Sequence, residues 1–113
     1  MDKALLSGST AMLLLKLLEE QDMYGYQMIE TLAQRSDHTF DLKAGTLYPL
    51  LHTLEERGDI AAYLEWEGGT RPRRYYRLTA AGRGRLREKE QEWRRYVGAV
   101  EREIGRASCR ERV

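Results

Sequence analysis

The feature that most constrains the fold is a short basic hairpin in the second half of the chain. Gly68 and Gly69 separate two strand-like runs, residues 60–66 and 74–78, as in a tight β-turn. The turn and the strand after it carry four arginines, Arg71, Arg73, Arg74 and Arg77. A helix-like segment that ends at Gly58 comes before the hairpin. A helix followed by a basic hairpin indicates a winged helix whose wing faces phosphates.

The size of the chain limits it to one modest core. It has 113 residues, 42% of them hydrophobic, so we expect a single domain that gains stability by oligomerisation. No apolar run approaches the length of about 18 residues that a membrane span needs, and the N-terminal residues lack the pattern of a signal peptide. The one cysteine, Cys109, excludes a disulfide within the chain and fits a reducing compartment. These features predict a cytoplasmic protein.

The net charge of +1 hides a strong asymmetry along the chain. Residues 1–70 hold 5 Lys/Arg against 12 Asp/Glu, a net charge of −7, whereas residues 71–113 hold 14 against 6, a net charge of +8. The basic residues therefore concentrate in the hairpin and in the last helix, which favours contact with a polyanion. A solvated, arginine-rich helix face is the alternative explanation. We prefer the polyanion because the hairpin shares the charge.

Apolar spacing predicts three helices before the hairpin. Ser9 can cap a first helix that runs to about Glu20 and is apolar on nearly every side, so we expect a partner chain to cover part of it. A short turn at 21–23 leads to a second helix at 24–35, in which Gly25 allows close approach of another helix. A polar loop at 36–42 precedes a third helix at 43–57, and Gly58 ends it. The apolar face of the third helix consists of Leu47, Leu50, Leu51 and Leu54.

Pro49 leaves the start of the third helix open. If the helix begins near Ala44, the proline lies past the first turn and costs one hydrogen bond with some bending. If it begins at Thr46, the proline is harmless.

A long amphipathic helix follows the hairpin. Thr79 is its cap, and it runs from Ala80 to about Ile104. A narrow apolar stripe along it, made by Leu86, Trp93, Val97, Val100 and Ile104, suits pairing with another helix. Residues 105–113 break this stripe, which suggests a vector-derived or frameshifted end. The alternative is a native tail, in which Cys109 could have a redox role. The predicted fold is mostly α with a small β-hairpin.

Four segments follow one another along the chain: YGYQMI at 24–29, GTLYPLL at 45–51, LEERG at 54–58 and GTRPRRYYRLTAAG at 69–82. Together, in this order, they resemble the PadR family of bacterial transcriptional regulators, in its short form with a single C-terminal helix. The resemblance covers roughly residues 4–104. It implies a winged helix-turn-helix DNA-binding domain at 1–79 and a C-terminal dimerisation helix at 80–104. It also implies a homodimeric repressor of detoxification or efflux genes that a small aromatic molecule releases from its double-stranded DNA operator, with no cofactor.

The outward face of the third helix and the wing supply the predicted DNA contacts. A recognition helix presents its N-terminal half to the major groove, which selects Lys43, Thr46, Tyr48, Pro49 and His52. Thr46 and Tyr48 suit phosphates, and the other three suit bases. The alternatives are a packing role under the wing for Tyr48 and a plain surface role for His52. In the wing, Arg71, Arg73 and Arg74 can neutralise phosphates or enter a minor groove.

The resemblance also places a ligand cavity at the dimer interface. It assigns to this cavity Trp93 together with Met12, Lys16, Leu86, Lys89 and Val97. The alternative for Trp93 is packing within the dimer stripe. Lys16 and Lys89 would make the cavity cationic and favour an aromatic carboxylate, although Lys16 also fits a solvated stripe with Ser9, Glu19 and Glu20.

The sequence gives little support for catalysis or metal binding. Neither His38 nor His52 has a partnered nucleophile or a metal-ligand spacing with the cysteine. The Gly68-Gly69 pair lacks the helix that must follow a phosphate-binding loop. We therefore expect a protein that is not an enzyme. The alternative function is a winged helix for protein–protein contact that docks through the acidic residues 1–70.

Overall fold

The computed structural model describes residues 3–66, 68–69 and 71–112, and within them the side chains of residues 9–105. Glu67 and Thr70 of the predicted turn and the side chain of Cys109 lie outside the described residues. The elements are α1 (Lys3–Glu20), β1 (Met23–Tyr24), α2 (Gly25–Arg35), α3 (Ala44–Glu56), β2 (Ile60–Glu65), β3 (Arg73–Leu78) and α4 (Ala80–Arg112). This order confirms the predicted fold, mostly α with a small sheet and a long last helix.

The sheet is antiparallel and has three strands in the order β1-β3-β2. Ile60 pairs with Leu78 and Glu65 with Arg73, so the predicted hairpin is confirmed. The turn expected at 21–23 is wrong at its end, because Met23 belongs to β1 and pairs with Tyr76. Two residues are too few to show the alternation of a strand, and their partner lies some fifty positions later in the chain.

The first helix begins earlier than expected. Ser9 is not its cap, since α1 starts at Lys3 and Ser9 lies buried inside the helix. Ala4, Leu5 and Leu6 are good helix formers that carry the helix back past Ser9, and a serine is tolerated in a helix interior.

Helices α2 and α3 end in the same backbone motif. At the end of α3 the Asp59 N–H donates to the Leu54 carbonyl at 3.0 Å, and Gly58 adopts φ +82°, as the left-handed C-terminal cap requires. At the end of α2 the His38 N–H donates to Ala33 at 2.8 Å, but a non-glycine residue, Asp37, takes the left-handed position with φ 51°. The predicted stop at Gly58 is confirmed.

The start of α3 at Ala44 decides between the two starts left open by Pro49. The proline is the sixth residue of the helix, so the Gly45 carbonyl has no N–H four residues ahead. The helix continues through this point, and the Thr53 hydroxyl donates to the Pro49 carbonyl at 3.1 Å.

The core lies between α1, α2, α3, the inner face of the sheet and the first turns of α4. Its fully buried side chains are chiefly leucine and methionine, among them Leu14, Leu15, Met23, Met28, Leu47, Leu51, Leu54 and Leu86. The predicted leucine face of α3 is confirmed by the burial of Leu47, Leu51 and Leu54, with Leu50 half-buried.

The junction between the sheet and α4 is closely packed. Thr79 caps α4 as predicted, because its hydroxyl accepts the Gly82 N–H at 3.0 Å and lies 2.6 Å from the Gly58 carbonyl oxygen, to which it donates. A Cβ on Gly82 would lie 2.8 Å from both the carbonyl carbon of Asp59 and the Leu78 side chain. The Asp59 carboxylate is buried beneath this turn, 3.7 Å from Arg85 Nε. The backbone of Asp59, the residue before β2, and the first turn of α4 are therefore in direct contact.

The last helix does not end near Ile104, as expected, but continues to Arg112. The end of the apolar stripe does not mark the end of the helix, because apolar spacing and helix propensity are separate properties of a sequence. Residues 106–112 contain alanine, arginine and glutamate, which favour helix without an apolar face, and Gly105 alone does not stop it.

Candidate nucleic-acid interface

The helix α3 presents one continuous exposed face to solvent. The five residues predicted to contact DNA from this part of the chain are all exposed: Lys43 immediately precedes the helix, and Thr46, Tyr48, Pro49 and His52 lie on it. The face exists because the leucines of α3 occupy the opposite side and anchor it to the core.

Tyr48 fixes the contact between α3 and α2. Its ring lies over Gly25, the first residue of α2, where a Cβ would be only 2.7 Å from Tyr48 Cζ. The predicted close approach at Gly25 is therefore confirmed, with Tyr48 as the approaching group. Tyr48 is still 46% exposed, so part of it remains accessible to a ligand.

A cleft of about 500 Å³ lies between the start of α2, the exposed face of α3 and strand β3. Its lining is tyrosine, glycine and arginine: Tyr24, Gly25, Tyr26, Tyr48, Arg73 and Arg74. Guanidinium groups, phenol hydroxyls and the N-terminus of a helix are all groups that bind phosphate. We call this region the phosphate cleft.

The three predicted wing arginines have different surroundings. Arg71 is exposed near the wing tip. The Arg73 guanidinium lies 4.6 Å from the ring centroid of Tyr24, which holds it at the edge of the phosphate cleft. Arg74 turns to the other side of β3 and contacts α3, where its Nη2 donates to both carboxylate oxygens of Glu55 at 3.0 and 3.2 Å.

Arg74 is held by two neighbours. Its guanidinium carbon lies 5.8 Å from the ring centroid of Tyr76, and a hydrogen bond with Tyr76 followed by the one with Glu55 raises the pKa of Arg74. Sequence reasoning did not identify Glu55, because its contact depends on how the hairpin twists over α3. The sequence feature that could have indicated this contact was the carboxylate of Glu55 on the flank of α3 that faces the wing.

His52 has an acidic neighbour one turn along the helix. Its Nε2 lies 3.0 Å from Glu56 Oε1, and both side chains are exposed. The imidazole can therefore form an ion pair when protonated, and it also remains accessible to a groove.

The outer face of the sheet carries a row of tyrosines that the sequence did not reveal. Tyr24 packs edge-on against Tyr75, with ring centroids 5.4 Å apart, and Tyr63 stacks on the other side of Tyr75 at 5.8 Å. The Tyr63 hydroxyl donates to Asp22 Oδ2 at 2.7 Å, and this hydrogen bond raises the pKa of Tyr63 to about 12. The row joins all three strands and supports Tyr24 beneath Arg73.

A second cleft, of about 190 Å³, lies between α1 and α4. It brings together three of the six residues assigned to a ligand cavity, Met12, Lys16 and Trp93. Trp93 is 39% exposed, whereas Leu86 is fully buried below. The half-buried Lys89 and Val97 lie outside the lining.

Carboxylates balance the positive charges of this second cleft. Lys16 Nζ lies 2.9 Å from Glu19 and 3.9 Å from Glu90, and Arg94 lies 3.2 Å from Glu90. The hydrogen bond with Glu19, and then the charge of Glu90, raise the pKa of Lys16. The pairing with Glu19 fits the solvated stripe, one of the two alternatives for Lys16, and removes the argument for a cationic cavity.

The apolar stripe of α4 beyond this cleft is exposed. Trp93 and Tyr96 contact each other with ring centroids 6.0 Å apart, and Val100 and Ile104 are 38% and 62% exposed. A single chain therefore leaves most of the predicted pairing stripe uncovered.

Comparison with known proteins identifies the family to which this fold belongs. Residues 14–88 match the sequence model of the transcriptional regulator PadR-like family, and the chain belongs to this family. A transcriptional regulator from Clostridium thermocellum has a similar structure, with 30% identity, a TM-score of 0.83 and coverage of 88% of this chain and 97% of that one. A PadR family transcriptional regulator from Eggerthella lenta is 39% identical, with a TM-score of 0.77 and coverage of 89% and 86%. An uncharacterized protein from Lysinibacillus sphaericus is 33% identical over 89 residues, which are 79% of this chain and 82% of that protein.

The family fixes the general activity. Its members are transcriptional regulators that bind DNA, and they are not in general enzymes. Among the described residues, no three His, Cys, Asp or Glu side chains lie together as a metal site. Over the same residues, no helix combines the length and apolar character that crossing a membrane requires.

Proposed function

We propose that this protein is a homodimeric repressor that binds a double-stranded operator through α3 and the wing. The observation that carries the proposal is the phosphate cleft, in which Tyr48 of the recognition helix and Arg73 of the wing line one concave surface. One DNA backbone lying across this cleft would be held by both elements. Two such surfaces in a dimer would read half-sites about 34 Å apart.

The residues divide into two roles. Thr46, Tyr48, Arg71 and Arg73 bind phosphates and set the position of the domain on the duplex. Lys43 before α3, and Pro49 and His52 on its exposed face, contact base edges in the major groove.

The uncovered stripe of α4 supports the dimer. A side chain such as Ile104, 62% exposed on a helix, gains stability when a partner covers it. The stripe is narrow and helical, and a second copy of α4 or α1 offers a matching apolar surface.

The cleft at Trp93 supports a ligand-responsive repressor. Its apolar floor and exposed indole suit a flat aromatic molecule, and its paired charges favour an uncharged one. A ligand there would release the operator only if it bound the DNA-free arrangement of the dimer more tightly than the DNA-bound one.

The DNA proposal is tested by a mobility shift with the region upstream of the protein's own gene. Replacing Arg71 and Arg73 by alanine should lower the slope of log K against log salt by roughly 1.8, since each lost phosphate contact removes about 0.9. The matched control replaces Arg87 and Arg95, two exposed arginines of α4, and so removes the same charge elsewhere. Equal slopes for the two double variants would show that the wing arginines do not contact phosphates. If the wild-type protein does not bind this DNA at low salt, the alternative function in protein–protein contact is favoured.

The ligand proposal is tested by fluorescence quenching with planar aromatic compounds in a Trp66→Phe background, where Trp93 is the only indole. Quenching that saturates, with binding by calorimetry that disappears in Trp93→Ala while the dimer persists in sedimentation, is the expected result. Loss of the dimer in Trp93→Ala would instead identify Trp93 as a packing residue.

A further inference from the structure

We propose that Glu55 raises the sequence specificity of DNA binding by withholding Arg74 from phosphates. This inference rests on the proposed function and adds a specificity-determining residue to it. Sequence-independent binding grows with each cation available to the DNA backbone. A carboxylate that occupies one of those cations lowers the affinity for random DNA.

The geometry assigns this role to Glu55. Arg74 lines the phosphate cleft together with Arg73, but its guanidinium lies on the α3 side of β3, where Glu55 holds it. A DNA backbone that enters the cleft would therefore meet this guanidinium only after the pair opens. Both oxygens of Glu55 already accept hydrogen bonds from Arg74 Nη2, at 3.0 and 3.2 Å. Like a phosphodiester of the DNA backbone, a carboxylate in this position carries one negative charge and offers two acceptor oxygens.

The strength of the pair suits this role. The Arg74 and Glu55 side chains are 54% and 33% exposed, and a pair at such a surface shifts an equilibrium by about fivefold or less. That factor is too small to hold the wing rigidly against α3. It is large enough to disfavour contact between Arg74 and the loosely held phosphates of random DNA.

The two acidic residues at the end of α3 provide a matched comparison. Glu55 pairs with the wing, whereas its neighbour Glu56 pairs with His52 on the same helix, at 3.0 Å. Glu55→Gln and Glu56→Gln therefore remove the same charge from adjacent positions, and only the first frees a wing arginine.

The test measures binding to a random-sequence duplex over a series of salt concentrations. We expect Glu55→Gln to bind it up to about fivefold more tightly, with a salt slope steeper by as much as about 0.9, for one added phosphate contact. Glu56→Gln should leave the slope unchanged, and the gain should vanish in Glu55→Gln/Arg74→Gln. Weaker binding by Glu55→Gln, or a gain equal to that of Glu56→Gln, would overturn the proposal.

A second measurement separates this proposal from the proposed function. In the DNA-free protein, the guanidinium NMR signals of Arg74 should shift in Glu55→Gln and stay in place in Glu56→Gln. Unchanged Arg74 signals in Glu55→Gln would show that the pair is absent in solution and would refute the role of Glu55. Failure of the wild type to prefer its upstream DNA over random DNA would refute the proposed repressor instead.

Discussion

Replacing Gly82 by alanine tests whether the first turn of α4 packs directly against the backbone of Asp59, the residue before β2. A glycine-to-alanine change inside a helix normally stabilises a protein by about 0.5–1 kcal/mol, because glycine loses more freedom on folding. At Gly82 the new methyl would lie 2.8 Å from both the Asp59 carbonyl carbon and the Leu78 side chain. Overpacking against a rigid neighbour costs about 1–3 kcal/mol, and a backbone carbonyl has little freedom to move. Together these opposing effects predict a net loss of about 1 kcal/mol in the free energy of unfolding.

Gly84, two residues along the same helix, is the matched control. Nothing lies within 4 Å of a Cβ built there, so Gly84→Ala should stabilise the protein by about 0.5–1 kcal/mol. Thermal unfolding at one protein concentration should place Gly82→Ala about 5 °C below wild type and Gly84→Ala a few degrees above it. A Gly82→Ala protein that melts at or above the wild-type temperature would refute the close junction.

Three further changes test other parts of the molecule. Asp37→Gly should raise the free energy of unfolding by about 1 kcal/mol in urea titrations, because Asp37 has a left-handed backbone conformation with φ 51°. A lower free energy of unfolding in the variant would show that this conformation does not strain the aspartate. Gly25→Ala should weaken DNA binding in a mobility shift, since its methyl displaces Tyr48, and undiminished binding would remove Tyr48 from the interface. Asp22→Asn should return the pKa of Tyr63 from about 12 towards its ordinary value of 10 in an absorbance titration. Because the folded pKa is raised, the stabilising contribution of Tyr63 is complete below pH 10 and is lost as the pH rises through 12; an unshifted titration in the variant would contradict this.

The periodic parts of the fold were predictable from the sequence. Helix α3 begins and ends within one residue of its expected bounds, because its leucine spacing and Gly58 are local signals. The hairpin β2–β3 was predicted for the same reason. Strand β1 was not, because two residues have no period and gain their structure only by pairing with Tyr75 and Tyr76.

The sequence predicted which face of α3 is exposed, but it did not predict the contacts that the side chains of the candidate site make. Exposure of Tyr48 and His52 follows from the helical period of α3 alone. The pairing of Glu55 with Arg74 joins positions 19 residues apart through the twist of a hairpin, which the sequence does not encode locally. The same limit applies to Lys16: its pairing with Glu19 was readable at a spacing of three residues, but its contact with Glu90 requires the packing of α4 on α1.

Because α4 is fixed at its first turn, at Thr79 and Gly82, a small rotation there would displace the far end of this long helix by a larger distance. From Ala80 to Ile104 the helix rises about 36 Å, at 1.5 Å per residue. A rotation of about 5° at its first turn therefore sweeps Ile104 through roughly 3 Å, close to the width of a methyl group. A displacement of that size at one end of the molecule corresponds to a change of only tenths of an ångström at the Asp59 carbonyl. Small movements where the sheet meets α4 would thus shift the exposed apolar side chains near Ile104 relative to any surface that they contact.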